Sequence, residues 1–563
     1  AKRVRRDFHP TGEDARQVAS ICKMVEGAPL AIELASAWTR HHSCAQIAAF
    51  IADDLDFLKS PFADAPEKRR SLRAVFERSW TLLSDEEQIA FAQLSVFHGG
   101  FTLEAAEAVI GSAAMAAELV DKSLAQREGE TRFHVHPLLQ QYAAEKLSAL
   151  GDARELAEKN HAAYYLEFLT QHGEGESPQK RAVIRPERDN LRACWERAAR
   201  LGMTDALENT AAILHSFFSV ESWFQEGVDL FQSVLDQLSE SESGAADGLR
   251  CELLARKARM HTQIGQMEKA RADLERALSF AERLDDATRR SRVLDSLAIT
   301  NYYAGNYPQA AALARESLSL SEKSNNADGV AFSLNFLGSC AKAQGDFALC
   351  REYFERSVAA YRAMNDEIGA GMVLNNLGNL LQAQGEYEGA QKFYVEASEI
   401  LKAQNHAHGA ATTLVNAGKL ALRRGEYDAA RGLLEEGLAM KRKINDQRGE
   451  AIALAALGDI AVANRDEADA RERLRAALEL ARPLGDAQLI LDILTVTAAL
   501  FVQQPRAVLA RRVLVYVIAH GGTMEETRQQ ATRLMSELGA GEVDKDWSQE
   551  VAEDVAVAVL GEL

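Results

Sequence analysis

A glycine returns every 40 residues through the second half of this 563-residue chain: Gly265, Gly305, Gly345, Gly385 and Gly425, with Arg465 in the sixth slot. Each stands in a short turn between two amphipathic stretches, as in Gly305-Asn306-Tyr307, Gly345-Asp346-Phe347, Gly385-Glu386-Tyr387 and Gly425-Glu426-Tyr427. A fixed period of this length specifies a solenoid, whose units bury their apolar faces only against their neighbours. Such arrays are surfaces for holding something, so the pattern directs attention to recognition before catalysis.

Other columns keep the same register. Leu297, Leu337, Leu377 and Leu457 precede the turn, and Ala270, Ala310, Cys350, Ala390, Ala430 and Ala470 follow it. Gly338, Gly378, Gly418 and Gly458 would let two helices approach closely, with Leu274, Phe354, Tyr394, Leu434 and Leu474 in the facing position. The pattern resembles the tetratricopeptide repeat, whose usual unit is about 34 residues. A 40-residue unit therefore needs longer helices or longer connections. Asn365-Asp366, Asn445-Asp446 and Gly485-Asp486 supply the breaks, since Asn and Asp compete locally with the helical backbone. The signal runs from Gly248 to Gln488.

Composition narrows the alternatives. Only 10 residues are proline, which suits a helical chain too long for one compact core. A formal net charge of −19 argues against the chain gripping a nucleic-acid backbone, so no direct nucleic-acid partner is expected. The basic opening Lys2-Arg3-Val4-Arg5-Arg6 reads as a solvated chain end. Six scattered cysteines form no Cys-x-x-Cys pair and read as small buried hydrophobes in a reducing, cytoplasmic setting. No apolar run reaches membrane-spanning length, so no membrane partner is expected. Starting at Ala1 without Met, the chain reads as a piece of a longer protein.

The first half carries a second resemblance. Glu26-Gly27-Ala28-Pro29-Leu30-Ala31 is similar to the Gly-x-Pro-Leu-Ala segment of STAND-type regulatory ATPases, the NB-ARC-like class that includes many bacterial transcription regulators. Leu94-Ser95-Val96-Phe97-His98-Gly99-Gly100-Phe101, Leu119-Val120-Asp121-Lys122-Ser123-Leu124 and the run Arg132 to Ala143 resemble the winged-helix domain of that class. Local chemistry agrees. Ser84 and Glu87 have capping-box spacing, and Arg127-Glu128-Gly129-Glu130 forms a turn before an alternating strand. Arg188-Asp189-Asn190-Leu191-Arg192 matches a segment such proteins place before their repeats.

The resemblance implies a nucleotide role for Pro29, near the base, and for His136, near the β-phosphate of a bound ADP. Two departures accompany it. No Gly-x-x-x-x-Gly-Lys-Ser/Thr loop occurs, so this chain needs no cofactor of its own, and ADP or ATP with Mg belongs to the intact parent, a slow ATPase. The family's Met-His-Asp motif reads Val135-His136-Pro137, which lacks the carboxylate. His134 and His136, two apart on a strand, would share a face, but no third ligand is placed by spacing and no metal is expected. No catalytic motif stands elsewhere, so catalytic residues are none in this chain.

For the array, the face of the first helix of each repeat is the candidate groove. It includes Asp295, Asn335, Asn375, Asn376, Asn379, Asn416, Lys419 and Arg423, with Tyr302 and Tyr303 nearby. Asn offers both donor and acceptor, which suits a peptide backbone or polar metabolite; the alternative is that these amides bond a neighbouring helix. The expected fold is all-α, a winged-helix module followed by an α-α superhelical tetratricopeptide solenoid. Its divisions are 1–65 (helical Gly-x-Pro subdomain), 66–150 (winged helix), 151–244 (connector and a degenerate repeat), 245–490 (repeats) and 491–563 (capping helices). The expected function is the sensing part of a STAND ATPase or transcription regulator. Its array would hold a protein, peptide or small-molecule inducer, and its winged helix would contact the missing nucleotide-binding domain and control an ADP/ATP switch. The alternatives are an interaction scaffold without nucleotide coupling, and a winged helix that reads DNA, which the acidic balance disfavours.

Overall fold

The computed structural model describes residues 13–25, 31–32, 35–36, 39, 42–53, 72–173, 182–221, 223–238, 244–504, 506–521, 523–539 and 552–563. They fall into two compact units, one running to Phe280 and the other starting at Ala281.

In the first unit, α1 (Glu13–Met24) packs on α2 (Cys44–Asp53). There follow α3 (Leu72–Thr81), α4 (Asp85–Gln93), β1 (Phe101–Thr102), α5 (Leu103–Ile110), α6 (Ala113–Asp121), β2 (Gln126–Glu128), β3 (Arg132–His134) and α7 (Pro137–Ser148). The strands form a small antiparallel sheet in the order β1-β3-β2, with Phe133 opposite both Phe101 and Arg127. Among the described residues the other regular elements are helices. The expected capping box starts α4: the Ser84 hydroxyl accepts the Glu87 N–H at 3.3 Å, and the Glu87 carboxylate accepts the Ser84 N–H at 2.9 Å. At the turn before β1, Gly100 has φ +90°, and a Cβ there would stand 2.9 Å from the Phe133 carbonyl oxygen. Only glycine fits that turn.

The unit continues through α8 (Gly151–His172), α9 (Arg188–Arg200), α10 (Thr204–Val220), α11 (Phe224–Gln237), α12 (Gly244–Gln263) and α13 (Met267–Arg283), the last crossing the division. The Arg188 to Arg192 segment is a clamp. Asn190, fully buried, donates to the Gly100 carbonyl and to Glu187 at 2.8 Å each and accepts the His98 N–H at 2.7 Å. Glu187 also accepts the Tyr165 hydroxyl at 2.8 Å and pairs with Arg132 of β3. A buried carboxylate is tolerable because its lone pairs are so fully occupied.

The second unit is the array. Its paired helices are α14 (Ala287–Tyr303) with α15 (Tyr307–Lys323), α16 (Ala327–Ala343) with α17 (Phe347–Ala363), and α18 (Glu367–Ala383) with α19 (Tyr387–Ala403). Then come α20 (Ala407–Arg423) with α21 (Tyr427–Lys443), and α22 (Gln447–Ala463) with α23 (Glu467–Ala481). After them stand α24 (Ala487–Gln503), α25 (Ala507–Ala519), α26 (Glu525–Leu538) and α27 (Ala552–Leu560). The 40-residue period resolves as longer helices: from α14 to α22 every helix has 17 residues, and three-residue turns join them.

Both turns of the repeat are left-handed. Gly305, Gly345, Gly385 and Gly425 lie at φ +75° to +80°, and Arg465 adopts the same conformation at +59°. At the other turn, Asn325, Asn365, Asn405 and Asn445 lie at φ +52° to +58°, where Asn is the best-tolerated residue after glycine. The next residue caps the following helix: Asp366 accepts the Gly369 N–H at 2.9 Å and Asp446 the Gly449 N–H at 2.8 Å.

Between paired helices, a bulky side chain lies directly on a glycine. A Cβ built on Gly338 would meet the Phe354 ring at 2.5 Å, and one on Gly378 would meet the Tyr394 ring at 2.5 Å. One on Gly418 would lie 2.7 Å from Leu434. The small column beside these contacts (Ala270, Ala310, Cys350, Ala390, Ala430, Ala470) is wholly buried. A methyl at such a place must push the pair apart. Gly378→Ala is expected to destabilise by about 1–3 kcal/mol through overpacking, lowering the urea midpoint with little change in m.

Candidate functional site

His136 is the best-positioned of the residues that the sequence singles out in the first unit. It does not share a strand with His134: β3 ends at His134, and His136 is the N-cap of α7, with Pro137 at the first helical position. Its Nδ1 accepts the Leu138 N–H at 3.2 Å, and its Nε2–H donates to the Val25 carbonyl at 3.2 Å. Val25, fully buried, follows the end of α1. One imidazole therefore ties α1 to α7, and the two bonds assign the proton to Nε2. A cavity of about 480 Å³ is lined by Lys23 of α1, Gly100, Glu128, His134, Pro137 and Gln140. Pro29 lies outside the described residues.

The residues singled out in the array form internal bonds along successive first helices. Asn376 donates to Asn335 at 3.0 Å, and Asn416 donates to Asn375 at 3.0 Å. Each bond joins the first helix of one repeat to that of the next. Asn379 accepts the Tyr394 hydroxyl at 2.7 Å. Tyr302 lies in an aromatic group with Tyr303, Tyr307 and Phe336, at ring separations of 5.9, 5.2 and 5.7 Å. Tyr303 is the exposed member.

Towards the end of the array the same face is charged. Lys419 is exposed as a residue, yet its ammonium is partly desolvated. That desolvation holds its ammonium below the usual lysine range against the pull of Asp492, with Arg423 adding to the effect. Desolvation likewise pushes the Asp459 and Asp492 carboxyls up. Arg423 pairs with Glu526 in the first turn of α26. Thr527 of α26 donates to Asp492 at 2.6 Å, and Gln488 accepts the Met524 N–H at 2.8 Å. The start of α26 therefore rests on this face. No sequence pattern placed it there.

Asp295 is different in kind. It is 7% exposed, accepts the Ser333 hydroxyl at 3.1 Å, and has no cation beside it among the described residues. Ser333 also reaches Ser317, whose hydroxyl donates to the Ser291 carbonyl. Burial pushes the Asp295 carboxyl up to about 7; the two serines oppose this, and Asp328 adds to it. The folded state then holds the proton more tightly than the unfolded chain does. The contribution of Asp295 to stability is greatest below about pH 4, falls as pH rises towards about 7, and levels off above it, by up to about 4 kcal/mol in all. Asp295→Asn is expected to remove that decline, seen as a flatter dependence of melting temperature on pH between 5 and 8.

The tetratricopeptide repeat family profile matches residues 249–323, 329–403 and 369–443. A Mycobacterium tuberculosis H37Rv protein, named provisionally as an HTH-type transcriptional regulator, is 30% identical over 339 residues, covering 56% of this chain and 38% of its own length. An uncharacterized protein of the same strain is 36% identical over 165 residues, covering 27% of this chain and 42% of its own. The chain thus spans less than half the length of these relatives. Among solved structures, a Signal Transduction ATPase with Numerous Domains (STAND) protein with a tetratricopeptide repeat sensor, from Pyrococcus horikoshii, aligns with 94% of this chain and 73% of its own. Its TM-score is 0.52 at 15% identity. The chain carries tetratricopeptide repeats across residues 249–443 and is similar in fold to a STAND protein that has a tetratricopeptide repeat sensor.

Proposed function

We propose that this chain is the sensing and regulatory part of a STAND ATPase or transcription regulator. The array is a non-catalytic interaction module, and in this reading it holds an inducer or partner, protein or peptide before metabolite. The segment from α3 to α7 is its winged-helix module and bears on a nucleotide held by a separate nucleotide-binding domain. The similarity in fold to a STAND protein and the regulator name of one mycobacterial relative support the reading.

The observation that carries it is the His136 bridge. Its Nε2–H is directed at the Val25 carbonyl, a few residues before Gly27-Ala28-Pro29. A phosphate oxygen would compete for that same proton. Pro137 adds no carboxylate, so the whole latch falls to one imidazole. ADP or ATP with Mg would be held by the nucleotide-binding domain, since no phosphate-binding loop occurs in this sequence. Occupancy of the array would shift the switch only by differing in affinity between the two states.

The test is ADP release from the protein joined to its nucleotide-binding domain. His136→Ala is expected to speed release by about tenfold, a coupling within the ordinary range. An unchanged rate would favour an interaction scaffold without nucleotide coupling.

A further inference from the structure

Between α19, α20 and α21 the array contains a gap that its own repeats explain. At the place of Ala417 four other repeats carry Leu297, Leu337, Leu377 and Leu457, none more than 6% exposed, and the repeat of α12 and α13 carries the long side chain of Lys257. At the place of Ser398 they carry Leu278, Leu318, Val358, Leu438 and Leu478. Two side chains that fill the seam elsewhere are thus cut short in one spot. The outward position of Val395 is charged in every other repeat: Glu275, Arg315, Glu355, Glu435 and Arg475. Here alone it is apolar, and it is 49% exposed.

The three departures converge. They line a cavity of about 280 Å³ whose walls also include Tyr394, Leu414, Leu420 and Leu433. Ion pairs stand at its rim: Lys402 with Glu436 at 2.6 Å, and Arg424 with Glu426 at 2.8 Å. Glu399, one turn along α19 from Val395, is exposed and has no ion pair or hydrogen bond among the described residues. None of Asn375, Asn376, Asn416 and Lys419 lines this cavity.

We propose that this cavity docks a peptide segment of a partner protein that presents one aromatic side chain beside a Lys or Arg. The aromatic ring fills the void left by Ala417 and Ser398 and covers Val395, while the cation pairs with Glu399. The volume lies at the lower limit of small-molecule pockets, about 300–1,000 Å³, and suits a single anchor better than an enclosed ligand. The Ser398 hydroxyl, with no hydrogen-bond partner among the described residues, gives an indole N–H or a tyrosine hydroxyl something to bond. The proposal rests on the array being a partner-binding surface and is independent of any nucleotide switch, so ADP release does not bear on it.

The experiment selects a random phage-displayed peptide library against the whole chain, with the Ala417→Leu/Ser398→Leu double variant as counter-target. Filling the void is expected to raise the melting temperature, which reports that the variant is folded. Enriched peptides should share an aromatic residue next to Lys or Arg. They should lose affinity by about tenfold or more on the filled variant and on Glu399→Lys. Should the double variant fail to fold, Val395→Glu, which restores the charge of the other repeats, carries the same comparison. Equal binding to wild type and variants, or no enrichment of the aromatic–basic pair, overturns the proposal. A concentration-dependent dimer abolished by Val395→Glu would overturn it too, by assigning this face to a second copy of the chain.

Discussion

A bulky side chain laid on the backbone of a glycine is the contact on which the array depends. Tyr394 over Gly378, Phe354 over Gly338 and Leu434 over Gly418 leave no room for even a methyl group. The 17-residue helices packed this closely are joined by turns of three residues. A three-residue closure needs left-handed backbone, and hence the Gly column at one end and the Asn column at the other. The small residues at the contact and the left-handed residues at the turns are thus two requirements of the same closely packed pair.

The same close packing sets what the polar face can do. Because successive first helices are held in register, amides 41 residues apart in sequence meet at 3.0 Å, and Asn335, Asn375, Asn376 and Asn416 become lateral ties. Such ties satisfy buried or half-buried amides without demanding apolar volume. They also leave those residues less free to serve a ligand than a bare reading of side-chain type suggests. The charged end of the face, around Lys419, Asp459 and Asp492, is less fully tied, and there the chain rests its own α26.

What could be read directly in the sequence was local or periodic. The glycine and small-residue columns, the capping box at Ser84 and Glu87, and the hairpin turn at Gly129 are set by neighbours within a few residues or by exact repetition. The longer helices could be stated only as one of two options, because period alone does not divide helix from turn. Pairings across the fold were not legible. Asn190 reaches back 90 residues to the Gly100 carbonyl, and Arg423 reaches forward 103 residues to Glu526. Asp295 was placed on the candidate binding face, yet its burial with three serines depends on how α14, α15 and α16 close together. The absence of Leu at 417 was visible as a broken column. Its meaning needed Ser398 and Val395 brought beside it.

Helices of 17 residues are about 25 Å long, more than the packed columns themselves require. Stability and recognition are consequently written on separate letters of the same helix. The glycine, alanine and bulky columns can stay fixed while the faces between and beyond them change, and one repeat can be altered without disturbing the next. The region around Ala417 has that character: three substitutions in an unaltered frame turn a seam into a hollow. An array built this way can acquire a new partner by editing a single repeat, while the rest of the ribbon continues to fold as before.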